Sequence, residues 1–382
     1  MGIESTLPAI SQHIWDMKYR FRQEDEIVDV TLSDTWQRVA RAIASVESSP
    51  STWEDTFYAL LADFRFLPGG RILANAGTGR ESTTMFNCYV MGVIEDSIEG
   101  IFDVVKQAAL TQKQGGGVGF DFSTIRPKSS HISGVDSPAS GPLSFMQVLD
   151  ATCRTIMSAG QRRGAQMGIM RCDHPDIEEF IEAKRTEGVL RMFNLSVAVT
   201  DEFMAAVRAD GDWNLLFGGE VYETVKARDL WDKMMRSTYD FAEPGIFMVD
   251  RVNATNNLAY CEDIRATNPC GEQPLPPFGA CLLGSLNLTR FVTAPFTPQA
   301  SLDVDSIRKT TRGAVRMLDN VIELSNFPLR EQRDEALSKR RMGLGITGLA
   351  DMLIMLGVPY GDDKAVELAE EVMKTIAFEA YD

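Results

Sequence analysis

Histidine is nearly missing from this 382-residue chain, which has only His13, His131 and His174. So few leave little material for a histidine-based metal centre or a Cys/His nucleophile pair. Cysteine is sparse too: Cys88, Cys153, Cys172, Cys261, Cys270 and Cys281 are the only six. That is too few for a disulfide scaffold, and it predicts a reducing, cytoplasmic setting with thiols buried, metal-bound or reactive. Positive charge is short, with 38 Lys and Arg against 54 Asp and Glu, a net charge of −16. Such an acidic surface excludes unspecific binding to nucleic acid or to an anionic membrane. It leaves room for a nucleotide held at a local positive site. No run of about 18 apolar residues occurs, so no membrane-spanning helix is expected. The opening "MGIESTLPAISQHIW" lacks the basic-then-apolar pattern of a secretory leader. Internal repeats and low-complexity tracts are absent as well.

What is present is ordinary globular material, 44% hydrophobic and 24% charged. Two or three domains, or one large α/β barrel, fit this length. Residues 35–65 carry apolar side chains at helical spacing. "FLPGGRILANAG" breaks that pattern, and "TTMFNCYVMGV" predicts a strand containing Cys88. Asp96 and Ser97 are placed to cap a helix over "SIEGIFDVVKQAALTQ". "GGGVGFDF" follows a helix, which is the wrong order for a Rossmann phosphate loop; its glycines instead permit close backbone approach to a ligand. Ser140 and Pro142 are candidates to start the next helix. "SAGQRRGAQMG" is a glycine-flanked loop carrying Arg162 and Arg163, either a solvated turn or a phosphate-sensing loop. Strands at "NLSVAV" and "CLLGSLNL" alternate with helices at "HPDIEEFIEAKR", "DLWDKMMRSTYDF" and "SIRKTTRGAVRMLDNVIEL". That alternation predicts an α/β fold with mainly parallel strands. The final run, "DKAVELAEEVMKTIAFEAYD", is an amphipathic helix with no terminator after it. It raises the expectation that further chain, or a second polypeptide, completes the fold.

The densest chemistry lies in "NPCGEQPLPPFGAC", residues 268–281. Pro269, Pro274, Pro276 and Pro277 rule out a regular helix or central strand, leaving a stiff loop. If extended, it would turn Asn268, Cys270 and Glu272 to one side. Three readings fit: a buried structural cysteine, a zinc site without the usual CxxC pairing, or a reactive thiol beside a base. A neighbouring carboxylate disfavours a thiolate, so the third reading suits a thiol that loses a hydrogen atom rather than a proton.

"NPCGEQPLPPFGACLLGSLNL" resembles the active-site loop of ribonucleotide reductases, in the style of the adenosylcobalamin-dependent (class II) enzymes. "FLPGGRILANAGT", "FNCYV", "EDSIEGIFD", "QGGGVGFDFSTIRP", "SGPLSFMQVLD", "RRGAQMG" and "RRMGLGITGLADM" look like further landmarks of that family in the same order. The resemblance implies a ten-stranded α/β barrel of two halves, of which this chain holds part. Residues 1–65 would form a small N-terminal helical region, and residues 66–382 the first part of the barrel with its finger loop.

The same resemblance implies the chemistry. Cys270 would be the thiyl radical that takes the 3′ hydrogen of a ribonucleotide. Glu272 would be the general base and Asn268 a ligand of the sugar hydroxyls. Cys88 and Cys281 would be the pair that supplies electrons, ending as a disulfide. Gly70, Asn87, Gly116, Gly117, Pro269 and Gly271 would contact substrate. Asp96, Ser97, Ile98 and Arg126 would bind a nucleoside triphosphate effector, with Arg162 sensing it from the loop at 158–165. Cys153, Cys172 and Cys261 match no role and read as structural. No metal ligand is assigned. Implied partners are a thioredoxin-type or dithiol reductant and a second copy or second polypeptide. Two alternatives stay open: a class I-type large subunit fed by a radical-generating partner, and a non-catalytic regulatory or assembly subunit.

Overall fold

The computed structural model describes residues 7–24, 26–128, 130–132, 136–156 and 164–382. The chain divides into two compact units. The first comprises residues 1–87, 281–327 and 336–382; the second comprises residues 88–280 and 328–335.

In the first unit the helical pattern resolves into two helices, Leu32–Ala44 and Pro50–Leu61. The first begins in a reciprocal cap: the Asp34 amide donates to Thr31 Oγ1 and the Thr31 amide to Asp34 Oδ2. Its Leu32, Trp36, Val39, Ala40 and Ile43 recur at helical spacing and are buried. Pro50 opens the second helix, where a missing amide proton costs nothing. The long helix Val304–Leu324 buries Ile307, Ala314, Met317, Leu318 and Val321, and packs on Pro50–Leu61 and Asp363–Tyr381. A small sheet completes the unit. Strand Leu283–Asn287 runs parallel to Gly343–Thr347 and antiparallel to Phe66–Pro68.

The second unit is built on parallel strands in the spatial order 245–248, 193–199, 166–171, 117–121, 88–90. Parallel neighbours need crossovers, and helices supply them. Ile98–Lys113, Pro142–Thr155 and Ile177–Glu182 each join one strand to the next, and Asp201–Ala209 and Ala227–Phe241 serve the last crossover. The expected alternation of strands and helices is therefore present. Strand Gly117–Asp121 splits its side chains by the pleat. Val118 and Phe120 join the buried cluster with Phe122, Phe193 and Leu195. Gly117, Gly119 and Asp121 take the opposite face.

One expected cap is corrected. Ser140 does not cap the helix at Pro142–Thr155; Gly141 holds that position, at φ +76, with Pro142 in the first turn. A left-handed residue there leaves Ser140 outside the helix, where its carbonyl accepts from Ser144 Oγ at 2.8 Å.

Candidate functional site

The loop carrying Cys270 is a hairpin with a closed tip. Ala266–Thr267 pairs antiparallel with Pro274–Leu275. Between them the Asn268 amide donates to the Gln273 carbonyl at 3.1 Å, and the Gln273 amide to Asn268 Oδ1 at 2.9 Å. The Gly271 amide donates to the Asn268 carbonyl at 3.0 Å, with Gly271 at φ +84. The extended conformation expected for Asn268, Cys270 and Glu272 is thus corrected. An asparagine side chain satisfies the backbone across the turn, and a left-handed glycine reverses the chain. The three side chains are sorted by depth. Asn268 is fully buried, while Cys270 and Glu272 are exposed at the tip. Asn268 Nδ2 is buried with no hydrogen-bond partner among the described residues.

The hairpin rests on the glycine face of strand Gly117–Asp121. A Cβ added to Gly117 would lie 2.8 Å from Pro269 Cγ, and one on Gly119 only 1.9 Å from the Thr267 carbonyl oxygen. Asp121 follows on the same face, within the field of Arg265 and Arg171. So 117, 119 and 121 meet 269, 267 and 265 in antiparallel order. Asn194 Nδ2 reaches from strand Phe193–Val199, one strand beyond 166–171, to the Pro269 carbonyl at 2.7 Å. The close approach read into "GGGVGFDF" is at Gly119 an approach to the protein's own backbone. Burial pushes the Asp121 carboxyl up, against the Ser123 hydrogen bond and the two arginines. Asp121, Arg171, Asp250, Asn253 and Arg265 line a cavity of about 330 Å³ at the root of the hairpin. Sequence reading missed Asp121 and Arg265, although the alternation Gly-x-Gly-x-Asp carried the signal.

The remaining expected site residues fall in both units. In the second unit, Cys88 opens the strand Cys88–Val90 and is buried, its Sγ 3.4 Å from the Cβ position of Gly117. Gly116 abuts the Tyr89 ring and Thr111. In the first unit, the Asn87 amide donates to the carbonyl of buried Cys281 at 3.2 Å. Gly70 begins the helix Gly70–Asn75 against Tyr19. Cys153 and Cys172 are buried, and Cys261 is exposed in the loop after residues 249–254.

Four of the five residues expected to hold an effector share one cavity of about 260 Å³: Asp96, Ser97, Ile98 and Arg126. Arg126 donates through Nε to Asp96 Oδ2 at 2.8 Å and through its amide to Asp96 Oδ1 at 3.1 Å. Ser97 caps the helix Ile98–Lys113, its Oγ accepting from the Gly100 amide at 3.0 Å. The helix N-terminus and the guanidinium both favour an anion there. Ile101, Ile125, Ala139, Gly141 and Phe145 supply apolar wall. Arg162, the fifth residue, lies outside the described residues, as does its loop up to residue 163.

The chain matches two family models, "Ribonucleotide reductase, all-alpha domain" over residues 6–81 and "Ribonucleotide reductase, barrel domain" over residues 86–382. It is 38% identical to a Vitamin B12-dependent ribonucleoside-diphosphate reductase of Thermoplasma acidophilum, over 95% of this chain and 46% of that protein. It is 36% identical to the protein of the same name from Mycobacterium tuberculosis, over 95% of this chain and 53% of that one. A ribonucleoside-diphosphate reductase subunit alpha of Chlamydia trachomatis is 28% identical over 90% of this chain and 36% of its own length. The chain thus spans about half the length, or less, of these curated relatives. With a barrel-domain match running from residue 86 to 382, this chain belongs to the ribonucleotide reductase large-chain family.

Proposed function

We propose that this chain supplies the radical-bearing half of a ribonucleotide reductase that converts ribonucleotides to 2′-deoxyribonucleotides. Residues 1–65 serve as its N-terminal helical region and residues 66–382 as the first part of its barrel. The observation that carries the reading is the hairpin tip. There a buried, unpartnered amide donor, Asn268 Nδ2, lies in the same turn as the exposed thiol of Cys270 and the exposed carboxylate of Glu272. A buried donor left without a partner costs about 1–3 kcal/mol, which a bound sugar hydroxyl would relieve.

In this reading Cys270, as a thiyl radical, takes the 3′ hydrogen atom of the ribose, and Glu272 accepts the 3′ hydroxyl proton. The 2′ hydroxyl leaves as water with one proton from the Cys88/Cys281 pair, and the 2′ carbon takes that pair's other hydrogen. Cys88 and Cys281 give up two electrons and become a disulfide, which an external dithiol or thioredoxin-type protein reduces. Cys270 then returns its hydrogen to the 3′ carbon and is again the thiyl radical. The anionic ends of substrate and effector meet local positive charge, as at Arg126, on an otherwise acidic chain.

The relatives named as vitamin B12-dependent support adenosylcobalamin, which supplies an organic radical when bound. The exposure of Cys270 fits such a radical source at one point only. His174 has both ring nitrogens engaged within the protein, so it is not free to ligate a metal. No step is assigned to that group.

The test is reconstitution with the remaining half of the reductase, adenosylcobalamin, a dithiol and a nucleoside triphosphate. Cys270→Ser should abolish deoxyribonucleotide formation while leaving effector binding intact. Turnover that survives this substitution refutes the reading and favours a regulatory subunit.

A further inference from the structure

His174 lies outside both the hairpin and the Asp96–Arg126 cavity, yet it holds one wall of that cavity. It is only 2% exposed. Its Nδ1 accepts from the Asp176 amide at 3.0 Å. That fixes the tautomer, so Nε2 carries the proton and donates to the Ile125 carbonyl at 3.0 Å. Burial holds the ring below the ordinary histidine value of 6.5, against the pull of Asp176, Asp173 and Asp121, and Nδ1 is therefore available as an acceptor at neutral pH. The His174 and Phe217 rings pack edge-to-face, 5.8 Å between centroids.

The next carboxylate extends this grip. Asp176 Oδ2 accepts from the Lys128 amide at 2.8 Å. Between the two anchored points, 125 and 128, stands Arg126. The opposite wall is tied in as well: a Cβ on Gly141 would come within 2.9 Å of Asp176 Oδ2 and 3.0 Å of the Lys128 amide nitrogen. Ile125, Arg126 and Gly141 all line the cavity. A short segment pinned on both sides of an arginine leaves that guanidinium little freedom to lose on binding an anion.

We propose that His174, with Asp176, is a positioning residue that presets Arg126 and the wall residues Ile125 and Gly141 for a nucleotide phosphate. This rests on the nucleotide reading of the cavity. Two substitutions separate its bonds. His174→Gln keeps a donor near the Nε2 position and so keeps Ile125. His174→Asn keeps an acceptor near the Nδ1 position, preserving the turn at Asp176, but releases Ile125.

The experiment measures two quantities on the full chain: amide exchange over residues 124–128, and binding of mant-ATP displaced by unlabelled ATP. His174→Asn should speed exchange and weaken binding by up to about tenfold, the worth of one lost hydrogen bond. His174→Gln, which keeps the Ile125 bond and gives up only the acceptor for the Asp176 amide, should change both by clearly less than His174→Asn. Unchanged exchange and binding in His174→Asn overturns the proposal, as does equal damage by both variants, which would mark a merely structural histidine. Arg126→Ala identifies the other failure. If the unaltered chain shows no binding that Arg126→Ala removes, the nucleotide reading of the cavity falls, while the exchange data still decide whether His174 holds the wall.

Discussion

Gly119→Ala should disturb the hairpin that carries Cys270 without touching any residue of its tip. The added methyl would sit 1.9 Å from the Thr267 carbonyl oxygen, where real contacts of this kind stop at 3.0 Å. One side must therefore retreat by at least about 1 Å, into a repulsion far steeper than any dispersion gain. The obstructing atom is backbone, so no rotamer change relieves it. The strand is pinned between 88–90 and 166–171, which leaves the hairpin to move. Overpacking of this kind costs about 1–3 kcal/mol in unfolding free energy. A shift of about 1 Å in a reacting group costs about 100-fold in rate, so turnover in the reconstituted enzyme should fall on that scale. The assay pairs urea unfolding with the alkylation rate of Cys270 and with turnover. Gly211→Ala is the control: its nearest atom would be 3.7 Å away, and it should stay within about 0.5 kcal/mol of the unaltered chain. If Gly119→Ala unfolds at the same urea concentration and leaves the Cys270 thiol reacting at the same rate, the hairpin is not seated on this strand.

Asp29→Asn should lower stability by about 3 kcal/mol at neutral pH, because it strips the partner from Arg38 in a buried pair with an N–O distance of 2.9 Å. Burial raises the Asp29 carboxyl, but hydrogen bonds from Arg38 and Thr35 outweigh it and hold the group below its ordinary 3.8. The pair's contribution is therefore complete above that pH and fades as pH falls further; urea midpoints of both proteins that never converge in acid would contradict it. Gly141→Ala combines a left-handed backbone at φ +76 with the crowding by Asp176 and Lys128, and a thermal scan should show a loss of about 1–3 kcal/mol. Under native conditions, mass spectrometry after brief alkylation should find Cys261 and Cys270 modified. Cys172 should stay unmodified until the chain unfolds, since burial pushes its thiol up to about 12; early labelling there would refute that burial.

Much of the second unit was legible from the sequence. The strands at Cys88–Val90 and Phe193–Val199 announce themselves by β-branched and aromatic runs, and the helices between them by periodicity. Ser97 was readable as a cap because capping is a contact within one turn. Ser140 was misread because a left-handed Gly141 is as good a start before Pro142, and no local rule chooses between them.

By itself the sequence determined the inventory: few histidines, sparse thiols, excess negative charge, alternating strands and helices, and a proline-stiffened loop holding Cys270. Those depend on residue type and near neighbours alone. Only the tertiary structure decided that the loop is a closed hairpin, with Asn268 buried and Cys270 exposed. It also decided that Gly117 and Gly119 are empty so that residues 267–269 can lie against them, and that His174 reaches Ile125 from 49 residues away. The seating of 267–269 on Gly117 and Gly119 and the reach of His174 are contacts between segments distant along the chain, set by sheet order and crossover geometry, and no pattern within one segment records which other segment it will meet.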